Sequence, residues 1–155
     1  MSISERNCMK SKHFRLEEFF SKDFFNKWHK KPNYLWGLLD SRLLISCERL
    51  RERYGVCKIN DWIFGGHFKA SGFREDECRI GAELSQHRFG RAADLKFEGV
   101  TPEEIRKDMR KKASMNPDMT TFQLITCVED GTDTWLHIDV RNHDCDGILW
   151  IPKTK

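Results

Sequence analysis

The sequence predicts an α+β fold, and three observations predict it. Apolar residues recur at helical spacing through residues 14–54. After Gly55 the texture changes to short apolar or alternating segments bounded by glycine and polar turns. One strongly signalled helix, opening at Thr101, is inserted among them. Helices first, then mostly strands, is the order of an α+β domain.

The elements follow in order. Residues 1–12 are polar and charged and read as a flexible arm, leaving 13–155 as a single domain. Phe14 to Trp28 reads as a short amphipathic helix, with Leu16, Phe19, Phe20 and Phe24 at helical spacing. Pro32 and Asn33 break it. Leu35 to Tyr54 is the clearest helix, with Leu35, Leu38, Leu39, Leu43, Ile45 and Leu50 on its apolar side and Gly55 as its stop. The charges near its end, Glu48 to Arg53, read as a solvated face. Cys57 to Phe64 reads as a strand, Gly65-Gly66 as a turn and Ser71 to Gln86 as a long irregular loop. Ala92 to Phe97 alternates like a strand. Thr101-Pro-Glu-Glu104 is a capping box with proline in the first turn; its helix should reach about Ala113 and end by Asn116-Pro117. Phe122 to Val128, Thr134 to Val140 and Ile148 to Ile151 read as strands.

Composition bounds the function. A chain of 155 residues builds a core without disulfide staples. The six cysteines include no C-x-x-C pair, so they read as reduced, mostly buried thiols and not as a cysteine zinc knuckle. The net charge of +3 permits contact with an anionic polymer such as a cell wall. No Lys/Arg block supports nucleic-acid binding, and none is expected. The N-terminal residues lack an apolar signal core, and no run approaches the ~18 apolar residues of a membrane helix. The expectation is a monomer, cytoplasmic as synthesised, that something else must deliver if it acts outside.

The chemistry gathers in Ser85-Gln-His-Arg-Phe-Gly-Arg-Ala-Ala-Asp94 and, far downstream, Trp135-Leu-His-Ile-Asp139. Zinc favours imidazole nitrogen and carboxylate oxygen, and a catalytic site keeps one position open for water. His87, Asp94 and His137 supply that set for one ion, if the strands bearing Asp94 and His137 are neighbours. Asp94 lies between Ala93 and Leu95 in a half-buried run, where a carboxylate needs a partner.

Ser-x-His-x-x-Gly-x-Ala-x-Asp followed by Trp-x-His resembles the zinc peptidase family of D-alanyl-D-alanine carboxypeptidases and L-alanyl-D-glutamate endopeptidases. That family shares its fold with the hedgehog signalling domain, and many members are phage endolysins or bacterial murein endopeptidases. Ser71-Gly-Phe-Arg74 is similar to the family's Ser-Gly-Tyr-Arg segment. Phe14-Arg-Leu-Glu-Glu-Phe19 and the helix before Gly55 resemble the opening of its small endopeptidase branch. The likeness runs from about His13 to Arg141.

The resemblance implies N-terminal helices packed on a small, mostly antiparallel sheet, with zinc held by His87, Asp94 and His137. It implies a hydrolase acting on peptidoglycan peptides. Arg74 would pair with a substrate carboxylate, Ser85 and Gln86 would shape the ligand loop, Gly90 would let the chain turn, and Trp135 would wall the cleft. If released by phage lysis or carried by a virion, such a protein acts at the cell wall.

One position departs from the family. The carboxypeptidase branch has a glutamate three residues before the last zinc histidine; here that residue is Thr134. Asp139 and Glu129 are the candidate bases, Asp139 slightly preferred, although Asp139 could instead orient the ligand histidine. The alternative function is a catalytically inactive, zinc-stabilised module that binds a wall fragment or a protein partner. His13, His29 and His143 read as solvated, His67 as structural, and Trp28, Trp36 and Trp62 as core.

Overall fold

The N-terminal aromatic run folds as two pieces and not as one helix. The computed structural model, which describes residues 9–115 and 120–153, has a 3-10 turn at Leu16–Phe19 and helix α1 at Lys22–Trp28. Ser21 separates them in extended conformation, and its side chain caps α1 by accepting the Phe24 N–H. Neighbours on one helix point about 100° apart. The break instead lets Phe19 and Phe20 both be fully buried.

The expected long helix is likewise divided, into α2 at Pro32–Gly37 and α3 at Ser41–Tyr54. Pro32 opens α2 at its first turn, where the missing N–H costs nothing. Asp40 caps α3 by accepting the Arg42 N–H at 2.9 Å. Gly55 ends it with φ 89°. Leu43, Leu44, Cys47 and Leu50 form the buried stripe of α3, which packs against the sheet. Each such leucine contributes roughly 1.5–3 kcal/mol.

The arm is docked sooner than expected. The Ser11 hydroxyl and the Lys12 and His13 backbone N–H groups donate to Glu48 Oε1, and the His13 ring pairs with the same carboxylate. Glu48 is therefore an anchor and not part of a solvated face, and His13 is not merely solvated. Residues 1–8 of the arm, with Cys8, lie outside the described residues.

The expected strand at 57–64 shrinks to β1, Cys57–Lys58, followed by a 3-10 turn at Trp62–Phe64. Asn60 is the reason. Fully buried, it donates its amide to Phe20 O and accepts the Ser71 N–H, which directs the chain out of the ladder. β2 spans Ala92–Phe97, as the alternation predicted. Helix α4, Pro102–Met115, opens on the expected capping box: Thr101 Oγ1 accepts the Glu104 N–H and Glu104 Oε2 accepts the Thr101 N–H. The expected stop at Asn116-Pro117 lies outside the described residues. β3 is only Cys127–Glu129, because Phe122–Ile125 closes a turn. β4 is Leu136–Asp139 and β5 is Leu149–Ile151.

Together these make an α+β fold whose sheet runs β1-β2-β4-β3-β5. Neighbours pair antiparallel except β3 with β5, which are parallel. In the register, Asp94 faces His137 and Val128 faces Ile138. Side chains alternate between faces. Ala93, Leu95, Val128, Leu136 and Ile138 join the core, while Asp94, Glu129, His137 and Asp139 belong to the other face. Cys47, Cys57 and Cys127 are free and buried, Cys78 half-buried and Cys145 exposed. No helix among the described residues is long and apolar enough to cross a membrane.

Candidate metal centre

Two antiparallel strands bring two of the three expected ligands face to face. Residues directly opposite on such strands have adjacent side chains, and His137 Nδ1 lies 2.8 Å from Asp94 Oδ1. The third, His87, comes from a 3-10 turn at Gln86–Phe89 that Gly90 terminates in left-handed conformation, φ 66°. The turn is held on both sides. Asp40 N–H donates to Gly90 O at 2.9 Å, and Arg74 N–H donates to His87 O at 3.1 Å.

The histidines have defined orientations. His87 Nδ1 donates to the Gly72 carbonyl at 2.7 Å, because a carbonyl only accepts. Its Nε2 is thereby turned toward Asp94 Oδ1, 3.4 Å away. His137 directs Nδ1 to Asp94 and Nε2 to Asp139 Oδ2 at 3.2 Å. One donor atom from each of His87, Asp94 and His137 lies within 4.8 Å of the other two. A tetrahedral ion with bonds of 2.0–2.1 Å needs ligand edges of about 3.3 Å. The donor set and its spacing therefore fit zinc.

The charges respond to this packing. Burial pushes the Asp94 carboxyl up, but His87 and the hydrogen bond from His137 more than offset it and hold Asp94 well below the usual carboxylate range. Burial pushes the His87 imidazole down, toward the neutral form a metal ligand requires. For His137 burial acts the same way, but hydrogen bonds to Asp139 and Asp94 win and raise it to about 9.

A cleft of about 650 Å³ opens over this centre. Every expected substrate-binding residue lines it: Arg74, Ser85, Gln86 and Trp135. Arg74 Nη2 lies 3.4 Å from Asp94 Oδ2, and its Nε donates to Ala70 O. Gln86 carries a buried side-chain oxygen without a hydrogen-bond partner among the described residues. His67 is exposed and does not line the cleft.

The two candidate bases separate. Asp139 is completely buried and does not line the cleft. Its oxygens accept from Arg141 Nε at 2.8 Å and Nη2 at 2.6 Å, as well as facing His137. That arrangement suits Asp139 to orienting His137 and leaves it off the cleft that a general base has to reach. Glu129 does line the cleft. It stands one residue beyond the Val128–Ile138 pair, level with His137 across β4. Asp94, His137 and Glu129 thus form one row across β2, β4 and β3. Thr134 is exposed on the loop before β4, away from the cleft lining.

Several supporting residues escaped the sequence reading. Lys96 is half-buried, and its ammonium donates to Ile59 O, Asp94 O and the Ser71 hydroxyl, tying β2 to the loop that leads to Arg74. Burial pushes it down to about 8. Arg106, fully buried, donates to both oxygens of Thr132 and so fixes the turn between Glu129 and Trp135. His143, expected to be solvated, bonds Thr126 O. Trp36 is core, whereas Trp28 and Trp62 are half-buried.

No family model matches the sequence, no curated protein matches it, and no solved structure matches the fold.

Proposed function

We propose that the protein is a zinc-dependent peptidase that hydrolyses peptide bonds in peptidoglycan stem peptides, with the hedgehog-like fold of the family it resembles. The observation that carries this reading is the row Asp94, His137 and Glu129, completed by His87 and opening with Arg74 into one cleft. Two imidazoles and a carboxylate beside a general-base candidate and a guanidinium are the parts that metal-assisted amide hydrolysis requires.

His87 Nε2, Asp94 and His137 Nδ1 would hold zinc, which when bound would supply Lewis acidity to the scissile carbonyl and the attacking water. Glu129 takes the proton from that water and hands it to the leaving amine. Arg74 grips a substrate carboxylate. Asp139, clamped by Arg141, holds His137 in the ligating tautomer. The buried Gln86 oxygen accepts a substrate N–H, which would end the cost of about 1–3 kcal/mol that an unpaired buried acceptor carries. The likeness to the small endopeptidase branch favours an internal bond and an endolysin-like or murein endopeptidase role, delivered to the wall by lysis or by a virion.

Thr134 favours a second reading, in which the zinc site is intact but turnover is lost and the cleft binds a wall fragment or a protein partner. Metal analysis together with muropeptide digestion, followed by mass spectrometry, separates the two. The peptidase reading expects about one zinc per chain, cleavage abolished by chelation and restored by zinc, and no cleavage by Asp94→Ala. Full activity in that variant would exclude it.

A further inference from the structure

We infer that Arg141 is a second anion-binding residue of the cleft, so that the substrate carries two carboxylates, one read by Arg74 and the other by Arg141. This rests on the peptidase reading and names its substrate class: peptides with an acidic group on each side of the cleaved bond.

The contacts form a line of alternating charge. Arg74 Nη2 lies 3.4 Å from Asp94 Oδ2, and Asp94 Oδ1 lies 2.8 Å from His137 Nδ1. His137 Nε2 lies 3.2 Å from Asp139 Oδ2, which lies 2.6 Å from Arg141 Nη2. The metal ligands occupy the middle, and a guanidinium ends the line on either flank. Both arginines line the same cleft.

Arg141 does more than cover Asp139. Its contacts to that carboxylate use Nε and Nη2, which leaves the Nη1 side of the fork outside the pair. The Asp139 side chain is 0% exposed and that of Arg141 28% exposed. A ligand arriving from the cleft therefore meets the cation and not the acid behind it. A guanidinium offers five donors in a fixed fork, so one edge can hold Asp139 while the remaining donors take a second carboxylate.

The test uses zinc-loaded protein and synthetic stem peptides bearing two free carboxylates, each converted in turn to the primary amide. For wild type, either amidation should lower kcat/KM by roughly tenfold or more, the loss of one charge-assisted bond. In Arg141→Gln one of the two amidations should become neutral while the other still costs; in Arg74→Gln the pattern should exchange. The ratio of acid to amide is taken within one enzyme, so general damage from loosening Asp139 cancels. Binding of the same peptides, followed calorimetrically, gives the same ratio without turnover. A protein that binds selectively but does not cleave defeats the peptidase reading and upholds the two-arginine site. Unchanged selectivity in Arg141→Gln, or no preference for doubly acidic peptides in wild type, overturns it.

Discussion

Asp139 and Glu129 belong to the same face of the sheet on neighbouring strands, and their surroundings give them different work. Asp139 is buried against Arg141 and turned to His137; Glu129 lines the cleft level with that histidine. Two substitutions should therefore part company. Asp139→Asn should weaken zinc about 10–100-fold, as outer partners of ligand histidines do, with much of the turnover regained at saturating zinc. Glu129→Gln should leave zinc affinity intact and lower kcat by about 10²–10⁴-fold. Competition with a chromophoric chelator and steady-state kinetics read the two effects separately; the reverse pattern would restore Asp139 as base. The raised His137 gives a second prediction. Zinc needs that imidazole neutral, and the metal-free protein holds its proton up to about pH 9. Zinc binding at pH 7 should release about one proton, with affinity rising toward pH 9 and levelling above it. Titration calorimetry in buffers of different ionisation enthalpy measures the release, and none would contradict the geometry. In the metal-free fold the same shift is stabilising below the unfolded value near ~6.5, and that contribution is lost as pH rises through about 9. The convergence of His87, Asp94 and His137 was legible in the sequence because their donor types stand in a spaced motif. Glu129 was harder to place, because the register that levels it with His137 belongs to a pairing the sequence does not print. Arg141 was not read at all, since an arginine two residues from an aspartate looks like any surface pair.

At the scale of elements, the ligand turn depends on Gly90. Its φ of 66° is left-handed, and a Cβ there would stand 1.8 Å from Leu38 O, on the segment that joins α2 to α3. Neither the conformation nor the space admits a side chain. Gly90→Ala should destabilise the fold by roughly 2–4 kcal/mol and weaken zinc, because the Leu38 backbone cannot yield without moving His87 and the Asp40 cap bonded to Gly90 O. Gly99→Ala is the control: nothing lies within 4 Å of its added Cβ, and it should stay within ~0.5 kcal/mol of wild type. Urea unfolding gives both values, and equal stabilities would remove the turn from the argument. The same contact explains part of what the sequence concealed. Hydrophobic periodicity carries straight through residues 35–54, but the chain breaks at Leu38 to Asp40, where it meets the ligand turn and recaps at Asp40. Elements whose signals are local, such as β2 and the capping box of α4, kept their predicted ends. Elements shaped by tertiary partners did not: buried Asn60 shortened β1, and burial of both Phe19 and Phe20 split the first helix.

At the scale of the molecule, the centre joins a loop to two strands that are already paired with each other. His87 belongs to the loop side, Asp94 to β2 and His137 to β4, and the loop reaches the sheet through bonds such as Asp94 N–H to Ser71 O at 2.8 Å. An ion bound to all three crosslinks loop and sheet in the native state alone, so it stabilises by mass action. At free zinc about a thousand times its Kd, the gain is about 4 kcal/mol. For a chain of this size each kcal/mol moves Tm by about 2–4 °C, so zinc should raise Tm by roughly 8–16 °C over the chelated protein. Asp94→Ala should show almost none of that rise. The measurement bears on function as well as on stability, because both readings of the cleft expect the shift and only one expects turnover. A large zinc-dependent rise in Tm with no cleavage of any stem peptide would favour the binding module. Cleavage that survives chelation while Tm falls would mean that the metal braces the fold and the hydrolytic chemistry lies elsewhere. No shift with zinc would mean that His87, Asp94 and His137 meet as an ordinary buried hydrogen-bonded cluster, held together by the protonated His137 between its two carboxylates.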